Sequence, residues 1–344
     1  MPKSLVMNKG RMAFTQIMDF ASQDIFKVCV NRYKGNYKAK QFSCWKQFLC
    51  MAFGQLTHRQ SLSDTLLCLA LNRDKLYHLG IGEAVNKSTL SRANENRDWQ
   101  IFKDFALKLI EQAKLLYEGD SQLEVNLKGR VFALDSTTVD LCLEVFLWAP
   151  FRSTKAAIKI HTLLDLKTSI PEYIFISEGN VHDVKTMDLI SVEKGSYYVM
   201  DKAYVDFERL FSIRQQKAYF VVRAKENLQF RRIASRTPDK PAGILCDQDI
   251  QLTGINTQKR YPERLRRIKF YDEEYDRTFV FLTNNFSVKA QTVAQLYKHR
   301  WGVELFFKWI KQLAPFEKRP LHEVFLHIEK QDVKEQNYIQ LKII

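Results

Sequence analysis

One change of periodicity divides this chain and limits what it can become. From Phe14 to about Tyr117 apolar residues recur at three- and four-residue steps, with almost no alternation, whereas from Arg130 they gather into short β-rich runs. The first texture calls for packed helices and the second for strands. A chain carrying both in that order is expected to fold as an all-α N-terminal domain followed by a mixed α/β sheet. Its 344 residues suffice for two domains, or for one large domain with an insertion, and 46% hydrophobic residues with 24 Phe supply the core.

Within the helical region Trp45, Phe48, Phe53, Leu62, Leu66 and Leu69 are the expected core residues. Residues 86–94 read as a polar N-cap at Asn86 opening a short helix that presents hydroxyls and Arg92. That segment suits a helix-turn-helix reader, and it equally suits an ordinary capped surface helix. Further on, runs at 131–134, 156–166, 172–177, 197–200 and 218–223 predict strands, with an amphipathic helix at 207–216. Residues 225–285 predict a β-rich insertion, with strands at 266–271 and 277–282, and one long helix follows over 288–312.

A formal charge of +14, spread along the chain, points to a polyanionic partner; a generally basic surface is the plain alternative. The six cysteines, at 29, 44, 50, 68, 142 and 246, form no CxxC pair and are expected as reduced thiols. Residues 1–14 lack a leader's apolar stretch, and nowhere do about 18 apolar residues run together, so a soluble cytoplasmic protein without membrane contact is expected.

Asp135 directly follows the run 131–134, and Asp201 directly follows 197–200. An acid placed there is expected to leave the sheet at its carboxyl edge, where side chains from neighbouring strands converge. A third acid, Glu304, shares its helix with Tyr297, Arg300 and Lys311. Their steps of 3, 4 and 7 place all four within an arc of about 60° on one face. Exposed, the Arg300–Glu304 pair would contribute only roughly 0.3–0.5 kcal/mol.

Gathered with Asp135 and Asp201, however, it belongs to a cluster of carboxylates that repel one another unless a cation intervenes. All-oxygen ligation by Asp135, Asp201 and Glu304 favours Mg²⁺, or Mn²⁺ in its place, and two such ions suit in-line displacement at a phosphodiester. Arg300 and Lys311 would then hold phosphate, and Tyr297 either orients a backbone phosphate or anchors its helix. His161 and His182 are read as strand-end hydrogen-bonding residues, and Asp183 as a turn residue.

These residues resemble the insertion-sequence transposases of the DDE type, in the IS-four family. Asp135-Ser136-Thr137 looks like the first catalytic acid with its hydroxyl neighbours, and Asp201-Lys202-Ala203-Tyr204 like the second. Tyr297, Arg300, Glu304 and Lys311 match the family's Tyr-x2-Arg-x3-Glu-x6-Lys signature at every spacing. Lys155 to His161, Pro171 and Gly179 to Asp183 add to the likeness.

The resemblance implies a helical DNA-binding domain over 1–125 and a ribonuclease-H-like catalytic domain over 126–312, with the insertion at about 225–285. It also implies catalysis by Asp135, Asp201 and Glu304, and DNA or phosphate contacts from Tyr297, Arg300, Lys311 and Arg92. Such an enzyme binds terminal inverted repeats in double-stranded DNA as a homodimer, cuts the element ends with Mg²⁺ and joins the 3′-hydroxyls to target DNA. Residues 313–344 do not look like the apolar helices that close the core in the family, which suggests a truncated or frame-shifted copy. A non-catalytic DNA-binding derivative and a metal-dependent nuclease of other specificity remain the rival readings.

Overall fold

A computed structural model describes residues 12–59, 61–117, 123, 125, 127–141, 150–152 and 155–313. The described residues fall into two compact units: one within 12–136, 161–175 and 182–313, the other within 137–160 and 176–181. Residues 314–344 and Cys142 lie outside the described residues.

The first unit opens with helices α1 (Ala13–Met18), α2 (Gln23–Arg32), α3 (Cys44–Leu56), α4 (Leu62–Leu71), α5 (Arg73–Leu76), α6 (Lys87–Asn96) and α7 (Gln100–Leu116). Serines mark three of the starts: Ser22, Ser43 and Ser61 each accept a backbone N–H from the third residue on, satisfying one orphan donor of α2, α3 and α4. Asn86 does occupy the extended position before α6, but its side chain makes no capping bond. Its backbone carbonyl instead accepts from the amides of Thr89 and Leu90.

Phe26, only 1% exposed, sits among Trp45, Phe48, Phe102 and Phe105 at ring separations of 5.0–6.0 Å. Truncating such a residue to Ala costs about 3–5 kcal/mol. Phe53 and Leu69 are buried as expected, while Trp45, Phe48, Leu62 and Leu66 pack half-buried against this core.

The sheet follows: β1 (Val131–Leu141), β2 (Pro150–Arg152), β3 (Lys155–Asp165), β4 (Pro171–Glu178), β5 (Tyr197–Met200), helix α8 (Phe207–Gln215), β6 (Tyr219–Arg223), β7 (Phe230–Arg236), β8 (Ile244–Leu252), helix α9 (Ile255–Arg260), β9 (Leu265–Asp272) and β10 (Arg277–Thr283). In the first unit the order is β3-β1-β5-β6-β10-β9-β8-β7. Strands β1, β5 and β6 run parallel, and β6, β10, β9, β8 and β7 pair antiparallel in succession. The β-rich insertion therefore extends the main sheet through β10, because β6 offers it a free edge. In the second unit β2 pairs antiparallel with the start of β3, and the Lys159 ammonium donates to the Val181 carbonyl at 2.8 Å.

Alternation along the parallel strands sorts their side chains onto two covered faces. Phe132, Leu134, Tyr198, Met200, Phe220 and Val222 join Leu210 and Ile213 of α8 on one. Val131, Ala133, Tyr197, Val199 and Val221 join residues of α10 (Ala290–His299) and α11 (Trp301–Leu313) on the other. Arg266, 2% exposed, pairs with Asp247 through two bonds of 2.7 and 2.8 Å and donates to the Val288 carbonyl at 2.6 Å. That contact pins the start of α10 to the extended sheet.

Two expectations are corrected. The single helix over 288–312 is two, joined at Arg300 by i,i+3 bonds from Arg300 to the Tyr297 carbonyl and from Val303 to the Arg300 carbonyl. Two carboxylates hold the Arg300 guanidinium at this join, and Gly302, a poor helix former, follows it. Asp135 also does not end its strand, because β1 continues to Leu141. Only its pairing with β5 stops, at Leu134 opposite Met200.

Candidate active site

The register of the parallel strands builds the site. Leu134 of β1 lies opposite Met200 of β5, and Met200 opposite Val222 of β6. One residue further along each strand stand Asp135, Asp201 and Arg223. Adjacent parallel strands lie about 4.8 Å apart, so these three form a row across the sheet. They follow Ala133, Val199 and Val221 in phase, and hence face α10 and α11.

From α10, the Tyr297 hydroxyl donates to Asp201 Oδ1 at 3.0 Å, while Arg223 Nε reaches the same oxygen at 3.1 Å. Tyr297 is buried against Phe281, with ring centroids 4.7 Å apart, and burial pushes its hydroxyl up to about 12. It is therefore a fixed donor at neutral pH. Arg300 places Nη1 2.7 Å from Asp135 Oδ2 and gives Nη2 to Glu304 Oε1. Burial works against the Arg300 charge, but Tyr297, Asp135 and Glu304 together outweigh it and hold the guanidinium protonated.

Asp135 accepts the Ser136 amide at 2.8 Å. Burial drives its carboxyl up to about 6; Arg300 opposes the rise, while Glu304 and Asp201 add to it. On the far side of the strand the Ser136 hydroxyl donates to Asp183 Oδ1 at 2.6 Å. The buried His161 has Nδ1 3.9 Å from that oxygen, and Asp183 thereby supports β1 from this side. Asp183 thus does more than open the 3₁₀ turn Asp183–Asp188.

The chain therefore brings five of the predicted residues together, Asp135, Asp201, Tyr297, Arg300 and Glu304, with Arg223 beside them. Lys311 lies about 10 Å further along α11, in its last turn, and among the described residues no ion pair joins it to these acids. Arg92 stands apart on α6, exposed. Arg223 escaped the sequence reading, although counting two residues on from Val221 finds it on the facing side of β6.

Asp135 and Asp201, side by side with all-oxygen donors, fit a hard divalent cation. Glu304 is held one guanidinium away, and among the described residues no three His, Cys, Asp or Glu side chains already converge as a metal cage. The donor chemistry fits; the closest approach of the third acid is taken by Arg300.

Comparison with known proteins matches residues 126–323 to the family described as Transposase DDE domain. The chain belongs to that family. A domain of unknown function, DUF4372, matches residues 9–82, the greater part of the helical region. A protein of Sinorhizobium fredii named as transposase y4zB is 30% identical over 203 residues, 57% of this chain and 56% of the relative. One of Geobacillus stearothermophilus, named as a transposase for insertion sequence element IS5377, is 29% identical over 181 residues, covering 52% and 47%. One of Synechocystis, named for insertion sequence element IS4SA, is 25% identical over 244 residues, covering 67% and 63%.

The chain spans about half the length of the curated relatives it matches. The mixed sheet with its preceding helices is that of a ribonuclease-H-like DDE transposase. As to the membrane, no described helix of this DDE transposase family member is long and apolar enough to cross one.

Proposed function

We propose that this chain is a DNA transposase whose Asp135, Asp201 and Glu304 form one catalytic centre for cutting and joining phosphodiesters at the terminal inverted repeats of its element. The observation that carries this reading is the row of Asp135 and Asp201 on adjacent parallel strands, with Arg300 linking Asp135 to Glu304. Arg300 joins Asp135 to Glu304, while Arg223 and Tyr297 hold Asp201 in the neighbouring position of the row.

Asp135, Asp201 and Glu304 would hold a divalent cation, Mg²⁺ with Mn²⁺ as substitute, which would supply charge stabilisation to phosphoryl transfer. The chain's own groups do the rest. Tyr297 and Arg223 fix the Asp201 carboxylate, and the Ser136 amide fixes that of Asp135. The Arg300 guanidinium, with Lys311 further along the helix, would hold phosphate oxygens.

In cleavage, water adds to the scissile phosphorus as the bond to the departing oxygen breaks, which leaves a 3′-hydroxyl. In joining, that hydroxyl loses its proton and adds to a target phosphorus as the bond to the target strand's own 3′-oxygen breaks; that oxygen leaves as a hydroxyl, so one P–O bond replaces another without an outside energy source. The chain acts as a homodimer that holds both element ends.

The test is a labelled DNA duplex carrying the sequence that flanks the coding region, incubated with Mg²⁺. Wild type should nick it and Glu304→Gln should not, while both bind it equally. Binding without nicking by the wild type would instead favour a non-catalytic DNA-binding protein, and nicking that ignores sequence a general nuclease.

A further inference from the structure

The row that carries Asp135 does not stop at β1. Strand β3 is the other neighbour of β1, and the end of β3 meets the start of β1, where the Leu166 amide donates to the Val131 carbonyl at 2.8 Å. The two strands therefore run antiparallel, and counting from that bond sets Leu164 opposite Ala133, Leu163 opposite Leu134 and Thr162 opposite Asp135. Two sets of contacts agree with this register. Leu164 shares one covered face of the sheet with Ala133, and Leu163 shares the other with Leu134. His161 and Ser136, the next pair, both approach Asp183 Oδ1, at 3.9 and 2.6 Å. Across the sheet the row thus reads Thr162, Asp135, Asp201, Arg223.

Nothing in the packing of β3 accounts for a hydroxyl at Thr162. The residue is 0% exposed, and among the described residues its Oγ1 has no hydrogen-bond partner. A hydroxyl removed from water and left unbonded costs stability, and the large majority of buried ones are paired. Valine has the same shape, suits a strand as well and carries no such cost. Residues directly opposite one another hold their Cβ atoms about 4.5–5.5 Å apart, so rotation about χ1 brings the Thr162 hydroxyl to the Asp135 carboxylate. That carboxylate has capacity to accept it. Asp135 Oδ1 takes the Ser136 amide and Oδ2 takes Arg300 Nη1, while each oxygen can accept two bonds.

We propose that Thr162 is a positioning residue: its hydroxyl donates to the Asp135 carboxylate and holds that acid in the orientation the reaction needs, and the fold is less stable for keeping it. The proposal rests on the transposase reading for the reaction concerned. It adds to the Ser136 amide and Arg300 a third anchor for Asp135, from a strand that bears no catalytic acid.

The experiment compares wild type, Thr162→Val and Thr162→Ser by thermal melting, by calorimetric titration with Mn²⁺ in the absence of DNA, and by cleavage of a saturating labelled duplex. Thr162→Val should melt no lower than wild type, because it removes an unbonded hydroxyl. It should nevertheless bind Mn²⁺ about 10-fold more weakly and cleave about 10-fold more slowly, with DNA affinity unchanged. Thr162→Ser, which keeps the hydroxyl, should recover both. A valine variant equal to wild type in Mn²⁺ affinity and cleavage would overturn the proposal and leave the catalytic centre standing. Should Thr162→Val melt lower, Thr162→Ser set against Thr162→Ala isolates the hydroxyl, since both lack the methyl; equal Mn²⁺ affinity in those two overturns the proposal in the same way. Mn²⁺ binding that weakens as expected in a protein that never cleaves DNA keeps the positioning role and removes the transposase reading. A wild type that binds no Mn²⁺ removes both.

Discussion

Arg300 reaches back 165 residues to Asp135, with Nη1 2.7 Å from Oδ2, and its other arm holds Glu304. Each partner of this bridge is more costly without the other. Removing the guanidinium would leave a mostly buried carboxylate beside two more, and Asp135 is already driven up to about 6 by burial with Arg300 in place. Arg300→Ala should therefore destabilise the metal-free protein by ~2 kcal/mol, below the range for a fully buried pair because Glu304 is partly exposed. It should also abolish DNA cleavage. Thermal melting in chelator checks the first claim, and an unchanged midpoint would refute it.

The support beneath Asp135 should be felt in the rate rather than in binding. Asp183 accepts the Ser136 hydroxyl at 2.6 Å, and the backbone N–H of the same Ser136 donates to Asp135 Oδ1 at 2.8 Å. Asp183→Ala is expected to slow cleavage by about 10-fold or more, with DNA affinity unchanged. Asp183→Asn, which still accepts the hydroxyl, should restore most of the loss. A residue that only shapes its turn would show no such rescue.

Stability against acid should trace to the cluster at the start of β1. Burial pushes the Glu172 carboxyl up, but bonds from Lys114 and Arg130, each 2.5 Å, outweigh it and hold the group below its ordinary value. A carboxylate depressed in the folded state stabilises above its unfolded pKa, near 4.5, and that stability is lost as pH falls through the folded value. Wild type should lose melting temperature below about pH 4.5, and Glu172→Gln, less stable at neutral pH, should lose less of it over that range. Parallel pH profiles for the two proteins would contradict this.

Much of this was legible in the chain. The strands at 197–200 and 218–223 and the face shared by Tyr297, Arg300 and Glu304 are local patterns, set by periods of 2 and 3.6 that a single sequence displays. The row of Asp135, Asp201 and Arg223 was only half legible. Acids after apolar runs can be seen, but which residue of a third strand stands beside them depends on register, a property of pairing rather than of any one strand. The break at Arg300 was hidden for a similar reason, because the ion pair with Asp135 that accompanies it joins residues 165 positions apart. Asp183 read as a turn residue because nothing in its neighbourhood points to Ser136, 47 positions away.

The central claim is that Asp135, Asp201 and Glu304 hold one divalent cation between them, and Fe²⁺ substituted for Mg²⁺ tests it most directly. With ascorbate and peroxide, bound iron generates radicals that cut the nearest polypeptide backbone. Wild type should be cut near residues 135, 201 and 304 together, Mg²⁺ in excess should suppress all three cuts, and Asp135→Asn should weaken the cuts at 201 and 304 as well as its own. Cuts at only one of the three positions, or cuts that vary independently among the variants, would contradict a shared site.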